Sequence, residues 1–389
     1  MIDRKLQILV VEDDELDRLI IKKALKNSSI IHDLHFAEDH ESGKAATQNQ
    51  EYDCIFLDYN LPGGTGLELL KEIRSAGNQY LNIPSSARVA SLGGTYITVK
   101  DDDINCGMQA PSLLNSEMSK ALSFSGVAYA DGIKFGNVAF AKHYDKIGTF
   151  LAAMNFASYG QFMETDEFGT VVGNFTASDY GLTLGYGREL NRLFSYGAAI
   201  KFLYSDYYVM NSFGIAADLS ATYCDTTNKV TATFQIRNVG AQLNNYIDGA
   251  NEPLPAEALI GISKRLAHTP LRFNLTYRHL EQFDLTYTDP YDLGDVDPVT
   301  GEAQVKTIGF WNKLSRHFII SSEILITKNF HLNAGYNFQR RQELQVSTRP
   351  ALTGFSFGVS MKISKFIISY GRASYHLEVT NLFFDIDLI

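Results

Sequence analysis

The sequence predicts a mainly β protein: an antiparallel transmembrane β-barrel of about fourteen strands, preceded by a short, truncated α/β doubly wound piece. Three observations carry this. Aromatic residues are segregated: of 25 Phe, 21 Tyr and 1 Trp, only Phe36, Tyr52, Phe56 and Tyr59 precede Ser75. Beyond that point apolar and polar residues alternate with period two, the mark of half-buried strands. The connections between those strands also alternate, long then short, as in barrels with short turns at one membrane face and long loops at the other.

Residues 1–78 read as α/β. Leu6 to Val11 is a continuous apolar run ending in Glu12, Asp13 and Asp14, as expected of a buried parallel strand. A helix with Leu16, Leu19, Ile20 and Leu25 on one face follows. His35-Phe36-Ala37 predicts a second strand and Ser42 to Gln50 a second helix. DCIFL, residues 53–57, predicts a third strand with Asp58 at its carboxyl end, and Leu67, Leu70 and Ile73 line a third helix. In such a sheet ligands bind outside the carboxyl ends of the strands, where Glu12, Asp13 and Asp58 converge. Clustered carboxylates suit a hard divalent cation, although acids at strand ends are also commonly solvated loop residues.

VVEDD followed by DCIFLDYNLPGGTGLELLKEIR resembles a response-regulator receiver domain. The resemblance implies Asp58 as phosphoacceptor. It also implies a Mg²⁺ site made by Glu12, Asp13 and Asp58 with the backbone carbonyl of Asn60. The PGGTG glycines are not followed by GK[ST], so they form no P-loop. After Arg74 the sequence supplies neither the fourth strand nor the phosphoryl-contacting Lys of a receiver, and the piece reads as about three-fifths of one.

The seam is Ser75 to Gly94. Residues 79–119 form an Ala/Ser/Gly-rich segment with an acidic triplet, Asp101-Asp102-Asp103, and a turn at Ala110-Pro111-Ser112. Placed before a barrel, this segment is expected to enter the lumen as a plug. The triplet is a candidate calcium ligand or a solvated run.

Residues 120–389 alternate. Tyr180, Leu182, Leu184 and Tyr186 interleave with Gly181, Thr183, Gly185 and Gly187; Phe330, Leu332, Ala334, Tyr336 and Phe338 interleave with His331, Asn333, Gly335, Asn337 and Gln339. The predicted strands are 120–130, 133–144, 147–158, 179–190, 193–204, 212–224, 228–240, 257–267, 270–281, 316–327, 330–341, 353–363, 364–375 and 378–388. Long connections are expected at 159–178, 205–211, 241–256, 282–315 and 342–352. The 282–315 connection sets Tyr287, Tyr291 and Trp311 among acids, a composition suited to a protein partner and equally to an ordinary external loop.

LNIPSSARVASLGG, DDDIN, PSLLN, FQIRNVG and the alternating pattern through Ile389 resemble the PorQ family. These are outer-membrane barrels of the Bacteroidetes type IX secretion system, related to PorV and more distantly to FadL-like barrels. The resemblance implies an outer-membrane location and protein transport. The barrel would hold a PorZ-like surface partner, beside other type IX components, for attachment of cargo to lipopolysaccharide. Ala110 stands where that family has Asn before the Pro.

Several function classes are disfavoured. A net charge of −10 argues against phosphate-mediated nucleic-acid binding. Cys54, Cys106 and Cys224 make no CxxC pair. SxxK and HExxH are absent, so no enzyme is expected and the barrel needs no cofactor. His143, His317 and His331 are expected to be structural. No run of apolar residues is long enough for a membrane helix, and the N-terminal sequence does not read as a signal peptide. Residues 1–78 are therefore expected to be a fused fragment standing where an export signal belongs. Two other activities stay open at this point: a FadL-like channel for hydrophobic ligands, and phosphoacceptor signalling through Asp58.

Overall fold

A computed structural model of the chain describes residues 6–26, 32–49, 52, 54–58, 60–65, 79–128, 133–165, 171–208, 210–244, 253–286, 308–344, 352–374 and 380–388. The chain divides into two compact units, one built on residues 1–75 and one on 76–285 with 310–389.

The first unit is a three-stranded parallel sheet, β1 (Leu6–Val11), β2 (His32–Ala37) and β3 (Cys54–Leu57), in the order β2-β1-β3. The central strand carries the apolar run because both its faces are covered: Leu9, Val10 and Val11 are fully buried. Helix α1 (Glu15–Lys26) has Glu15 and Asp17 in its first turn and Lys23 and Lys26 in its last, the arrangement that complements the helix dipole. Asp14 Oδ1 accepts from the Leu16 amide at 2.7 Å and starts the helix. The expected burial of the α1 apolar face does not occur: Leu16, Leu19 and Ile20 are each more than half exposed. Three strands give a sheet too narrow to cover that face, and no other described element lies over it. Helix α2 (His40–Asn49) follows β2. The third helix expected around Leu67, Leu70 and Ile73 lies outside the described residues.

The second unit is a closed barrel of fourteen antiparallel strands. In chain order they are β4 (Leu122–Ala128), β5 (Lys134–Tyr144), β6 (Gly148–Thr165), β7 (Val171–Glu189), β8 (Phe194–Tyr207), β9 (Met210–Asp225) and β10 (Val230–Asn244). The remainder are β11 (Glu257–Arg265), β12 (Leu271–Tyr277), β13 (Phe318–Leu325), β14 (Phe330–Asn337), β15 (Phe355–Ile363), β16 (Phe366–Ser374) and β17 (Thr380–Leu388). Pairing of β17 with β4 closes the wall and leaves no open edge.

Two expectations are corrected. Among the described residues, the long connections expected at 159–178 and 205–211 are largely strand: β6 and β7 run past the expected span, in register from Gln161–Thr176 to Glu164–Gly173 after a bulge, with a second shift before Thr165–Val171. Polar residues on the outer face there hid the pattern. Residues 338–341, expected to continue a strand, instead form helix α6 (Phe338–Glu343), where Asn337 Oδ1 accepts from the Arg340 amide at 3.0 Å and ends the ladder.

Outward positions form an apolar belt that includes Phe150, Leu182, Leu184, Ile200, Phe234, Ile262, Phe357 and Phe384, all more than a third exposed. Inward positions are polar and buried: Asn137, Thr183, Thr233, Asn274, Ser321, Asn333, Ser356 and Ser369. An apolar outside and a polar inside is the inverse of a soluble fold, and it suits a barrel in lipid. On the loop side, in the extended β6–β8 wall, the polarity reverses. Phe162 stacks on Phe175 at 5.3 Å and Tyr159 meets Tyr207 at 6.0 Å on the inner face, while Asn174 and Thr176 face out.

Candidate functional site

What fills the lumen is the chain itself. Residues 79–121 thread through it as short pieces: a 3-10 turn (Gln79–Asn82), α3 (Ala87–Ser91), α4 (Ile104–Gln109) and two further 3-10 turns, Pro111–Leu113 and Ser116–Met118. Ser86 caps α3 by accepting from the Val89 amide, and Asp103 caps α4 by accepting from Asn105. Such short helices are unstable alone and persist here through packing. Val89, Leu92, Tyr96, Ile97, Cys106, Leu113 and Leu259 form one buried cluster, and Ile104, Leu114, Met118, Ala139, Leu151 and Ala153 another.

The plug's backbone groups are satisfied by the wall, as buried peptide groups must be. Asp385 accepts from the Ala87 amide at 2.7 Å, and Ser356 and Asn337 donate to the carbonyls of Ser91 and Gly93. Ser263 donates to Thr98 O at 2.8 Å, Gln235 to Gln109 O at 2.7 Å and Ser195 to Ser112 O at 2.7 Å. Ser220 accepts from the Ser112 amide, Asn137 donates to Ser85 O, and Tyr80 donates to Tyr180 O at 3.0 Å. These contacts come from strands all around the barrel. Inward glycines make room for the backbone: a Cβ on Gly371 would lie 2.4 Å from Ala87 O, and one on Gly197 2.3 Å from the Pro111 carbonyl carbon.

At the centre is an ionic cluster. Buried Arg88 of α3 donates to Glu323 of β13 at 2.8 and 3.0 Å, to Asp103 at 2.9 Å and to Asp101 at 2.8 Å. Arg272 of β12 and the Tyr96 hydroxyl donate to the other Glu323 oxygen at 2.7 and 2.5 Å. Fully buried charges persist only when paired this completely. The acidic triplet is thereby explained: Asp101 and Asp103 hold Arg88, and Asp102 accepts from Lys362 at 2.6 Å. With each carboxylate engaged by a cation, the calcium-ligand expectation for the triplet is not supported.

A cavity of about 80 Å³ lies between the start of the plug and the β4–β6 wall, lined by Tyr80, Leu81, Ile83, Phe135, Asn137 and Lys201 among others. Gln109 Oε1 and Asn137 Oδ1 are buried without a partner among the described residues, which makes the space suited to water.

On the loop side a second ion network, Glu257 with Arg237 and Arg278 at 2.6 Å each, braces the start of the 278–317 connection. His317 stacks on Tyr277 at 4.7 Å and bonds the carbonyls of Arg278 and Phe283 at 2.7 and 2.9 Å, the structural use expected of it. It stands one residue ahead of β13 rather than on a strand. Above it, Phe283, Phe310 and Trp311 form an aromatic knob with centroids 5.5 and 5.4 Å apart. Trp311, at the start of helix α5 (Phe310–Ser315), is 78 % exposed. Tyr287 and Tyr291 lie outside the described residues.

In the first unit Glu12, Asp13 and Asp58 meet at the carboxyl ends of β1 and β3, with carboxylate oxygens within 4.8 Å of one another. The Asp58 amide donates to Val11 O at 2.9 Å, which fixes the two strand ends together. Partial burial, then the nearby charges of Asp58, Asp17 and Asp13, push the Glu12 carboxyl above the usual range against an opposing bond from the Asp14 amide. A divalent cation would relieve that repulsion. Asn60 sits in a two-residue ladder with Thr65, so its backbone lies just past Asp58.

Sequence reasoning did not single out Arg88, Arg272 or Glu323. The available signal was charge at inward strand positions: Glu323 and Arg272 both fall where the alternation places the lumen.

Residues 8–89 match the response regulator receiver domain. Over 71 residues the chain is 35% identical to the transcriptional activator protein IrlR of Burkholderia pseudomallei, covering 18% of this chain and 30% of that one. Over 75 residues it is 28% identical to the chemotaxis protein CheY-3 of Vibrio cholerae, covering 19% and 57%. The likeness thus spans only part of either relative. Among solved structures, the toluene transporter TodX of Pseudomonas putida overlaps 78% of this chain and 96% of its own, at 11% identity and a TM-score of 0.44. A Pseudomonas aeruginosa FadL homologue gives 78%, 97%, 10% and 0.42. Likeness at that level says nothing about cargo.

Proposed function

We propose that the second unit is a non-enzymatic outer-membrane barrel that is closed by its own plug and presents a docking surface to a partner on the long-loop side. The observation that carries this is the plug's attachment to strands all round the wall, centred on Arg88 and Glu323. A lumen so occupied is unsuited to bulk diffusion. Exposed aromatics at Phe283, Phe310 and Trp311, braced by buried ion pairs, are the kind of anchor that protein partners use. In line with the PorQ resemblance, the partner is a PorZ-like surface protein, and the setting is type IX secretion with attachment of cargo to lipopolysaccharide.

The channel reading is weaker. The cavities between plug and wall, about 80 Å³ beside Tyr80, about 260 Å³ beside Asn115 and about 250 Å³ beside Lys100, are below the ~300 Å³ at which ligand pockets usually begin, and the first is lined by Lys201, Asp218 and Arg237. Phosphoacceptor signalling through Asp58 has the acidic triad in its favour, where Glu12, Asp13, Asp58 and the Asn60 carbonyl would hold Mg²⁺. Among the described residues the sheet has three strands, and the sequence after Arg74 offers no match to the phosphoryl-contacting Lys.

The test is the full chain in nanodiscs, titrated with a purified PorZ-like protein, beside single-molecule conductance in planar bilayers. The reading expects saturable binding and no porin-sized open state. Steady open-channel conductance without partner binding would replace it with the channel.

A further inference from the structure

The end of the barrel that carries the short turns has an unusual charge pattern. Its six turns, 145–147, 190–193, 226–229, 266–270, 326–329 and 364–365, contain Lys146, Arg192, Lys229, His268, Lys328 and Lys365, one in each, and all six are exposed. Acids at this rim are fewer, and some are occupied. Glu189 is paired with Lys100 at 2.7 Å, and Asp225 accepts from the Thr227 and Asn228 amides. Asp145 and Glu117 stay exposed.

The cations are not set on a polar surface. Lys146 adjoins Ile147, Arg192 adjoins Leu193, Lys365 lies between Ile363 and Phe366, and Ile326 precedes Lys328 in its turn; these apolar neighbours are 41–53 % exposed. Each pair sits where the apolar belt ends. At that depth a long cationic side chain leaves its stem in hydrocarbon and its charge at headgroup level. A soluble acidic protein would have to cover the adjoining isoleucines and leucines around the whole circumference, whereas a lipid leaflet does so without further cost.

We propose that this rim is a collar for the phosphate groups of anionic phospholipids in the leaflet that meets the short turns. The collar rests on the membrane-spanning reading above. It seats the barrel at a fixed depth, with its termini-proximal end in the anionic leaflet.

The experiment is native mass spectrometry of the full chain ejected from nanodiscs of equimolar phosphatidylglycerol and phosphatidylethanolamine, with folding scored by heat-modifiable gel mobility. Phosphatidylglycerol should be retained in preference, by about fivefold for each engaged cation before salt screening. The combined variant Lys146→Gln, Lys229→Gln, Lys328→Gln and Lys365→Gln should cut the preference to the roughly fivefold that Arg192 alone supplies, and about 0.5 M added salt, at a Debye length of about 4 Å, should abolish it. Lys134→Gln, at the loop-side end of β5, should keep it. Equal retention of both lipids by a folded chain overturns the collar alone. Binding of poly-glutamate in detergent with no lipid preference overturns it in favour of an acidic protein. A chain that never gains a folded band in the bilayer overturns both the collar and the barrel's membrane role.

Discussion

Arg88 of the plug and Glu323 of the wall are joined by two hydrogen bonds, at 2.8 and 3.0 Å, although 235 residues separate them in the chain. Both are buried, Glu323 completely. The pair ties the lumen segment to the barrel where an unpaired charge would be costly.

Arg88→Met should therefore destabilise the barrel by about 3–5 kcal/mol, since Glu323 would keep Arg272 but Asp101 and Asp103 would lose the guanidinium that holds them. Thermal unfolding in detergent measures the loss. A midpoint unchanged from wild type would show that the cluster adds nothing to the plug's attachment.

Gly371→Val places side-chain atoms against Ala87 O, where even a Cβ would lie 2.4 Å away. Overpacking of this kind costs about 1–3 kcal/mol, and here it would also displace α3. Gly126→Val is the matched control: nothing lies within 4 Å of its Cβ position, so its effect should stay within about 0.5 kcal/mol. Planar-bilayer conductance should rise in the first variant and not in the second.

Trp311→Ala removes an exposed ring and should change stability by less than about 0.5 kcal/mol. If the knob is the docking anchor, affinity for the PorZ-like partner falls by about 2 kcal/mol, roughly thirtyfold. Titration of the purified proteins decides it, and full affinity in Trp311→Ala would move the interface elsewhere.

Glu12 gives a pH dependence. Burial and the neighbouring acids raise its carboxyl, so protonation competes with Mg²⁺ at a higher pH than for an ordinary glutamate. Mg²⁺ affinity, followed by calorimetry, should fall as pH drops through that raised value, and Asp58→Asn should weaken binding at every pH. Without metal the sign reverses. A carboxyl raised in the folded state favours folding at low pH, and that contribution is lost as pH rises through the folded value. Mg²⁺ binding independent of pH between 4 and 7 would count against Glu12 as a ligand.

Much of this protein was determined by its sequence alone. The buried strand at Leu6 to Val11, the gathering of Glu12, Asp13 and Asp58, and fourteen strands with alternating connections follow from local patterns of period and polarity. Such patterns are set by which solvent each face meets, and solvent acts residue by residue. The tertiary structure decided the rest. Residues 159–165 and 171–178 extend the wall with Tyr159, Phe162 and Phe175 turned inward and Asn174 and Thr176 outward, which reverses the alternation that marks a membrane strand. Leu16, Leu19 and Ile20 form an apolar face with nothing described to cover it, because a helix encodes its stripe but not its partner. The triplet Asp101-Asp102-Asp103 reads as a solvated run, with a metal site as the rarer alternative, until Arg88 and Lys362 are brought against it. Those pairings join segments far apart in the chain, and only closure of the barrel, which fixes distances between all fourteen strands at once, sets which charge meets which.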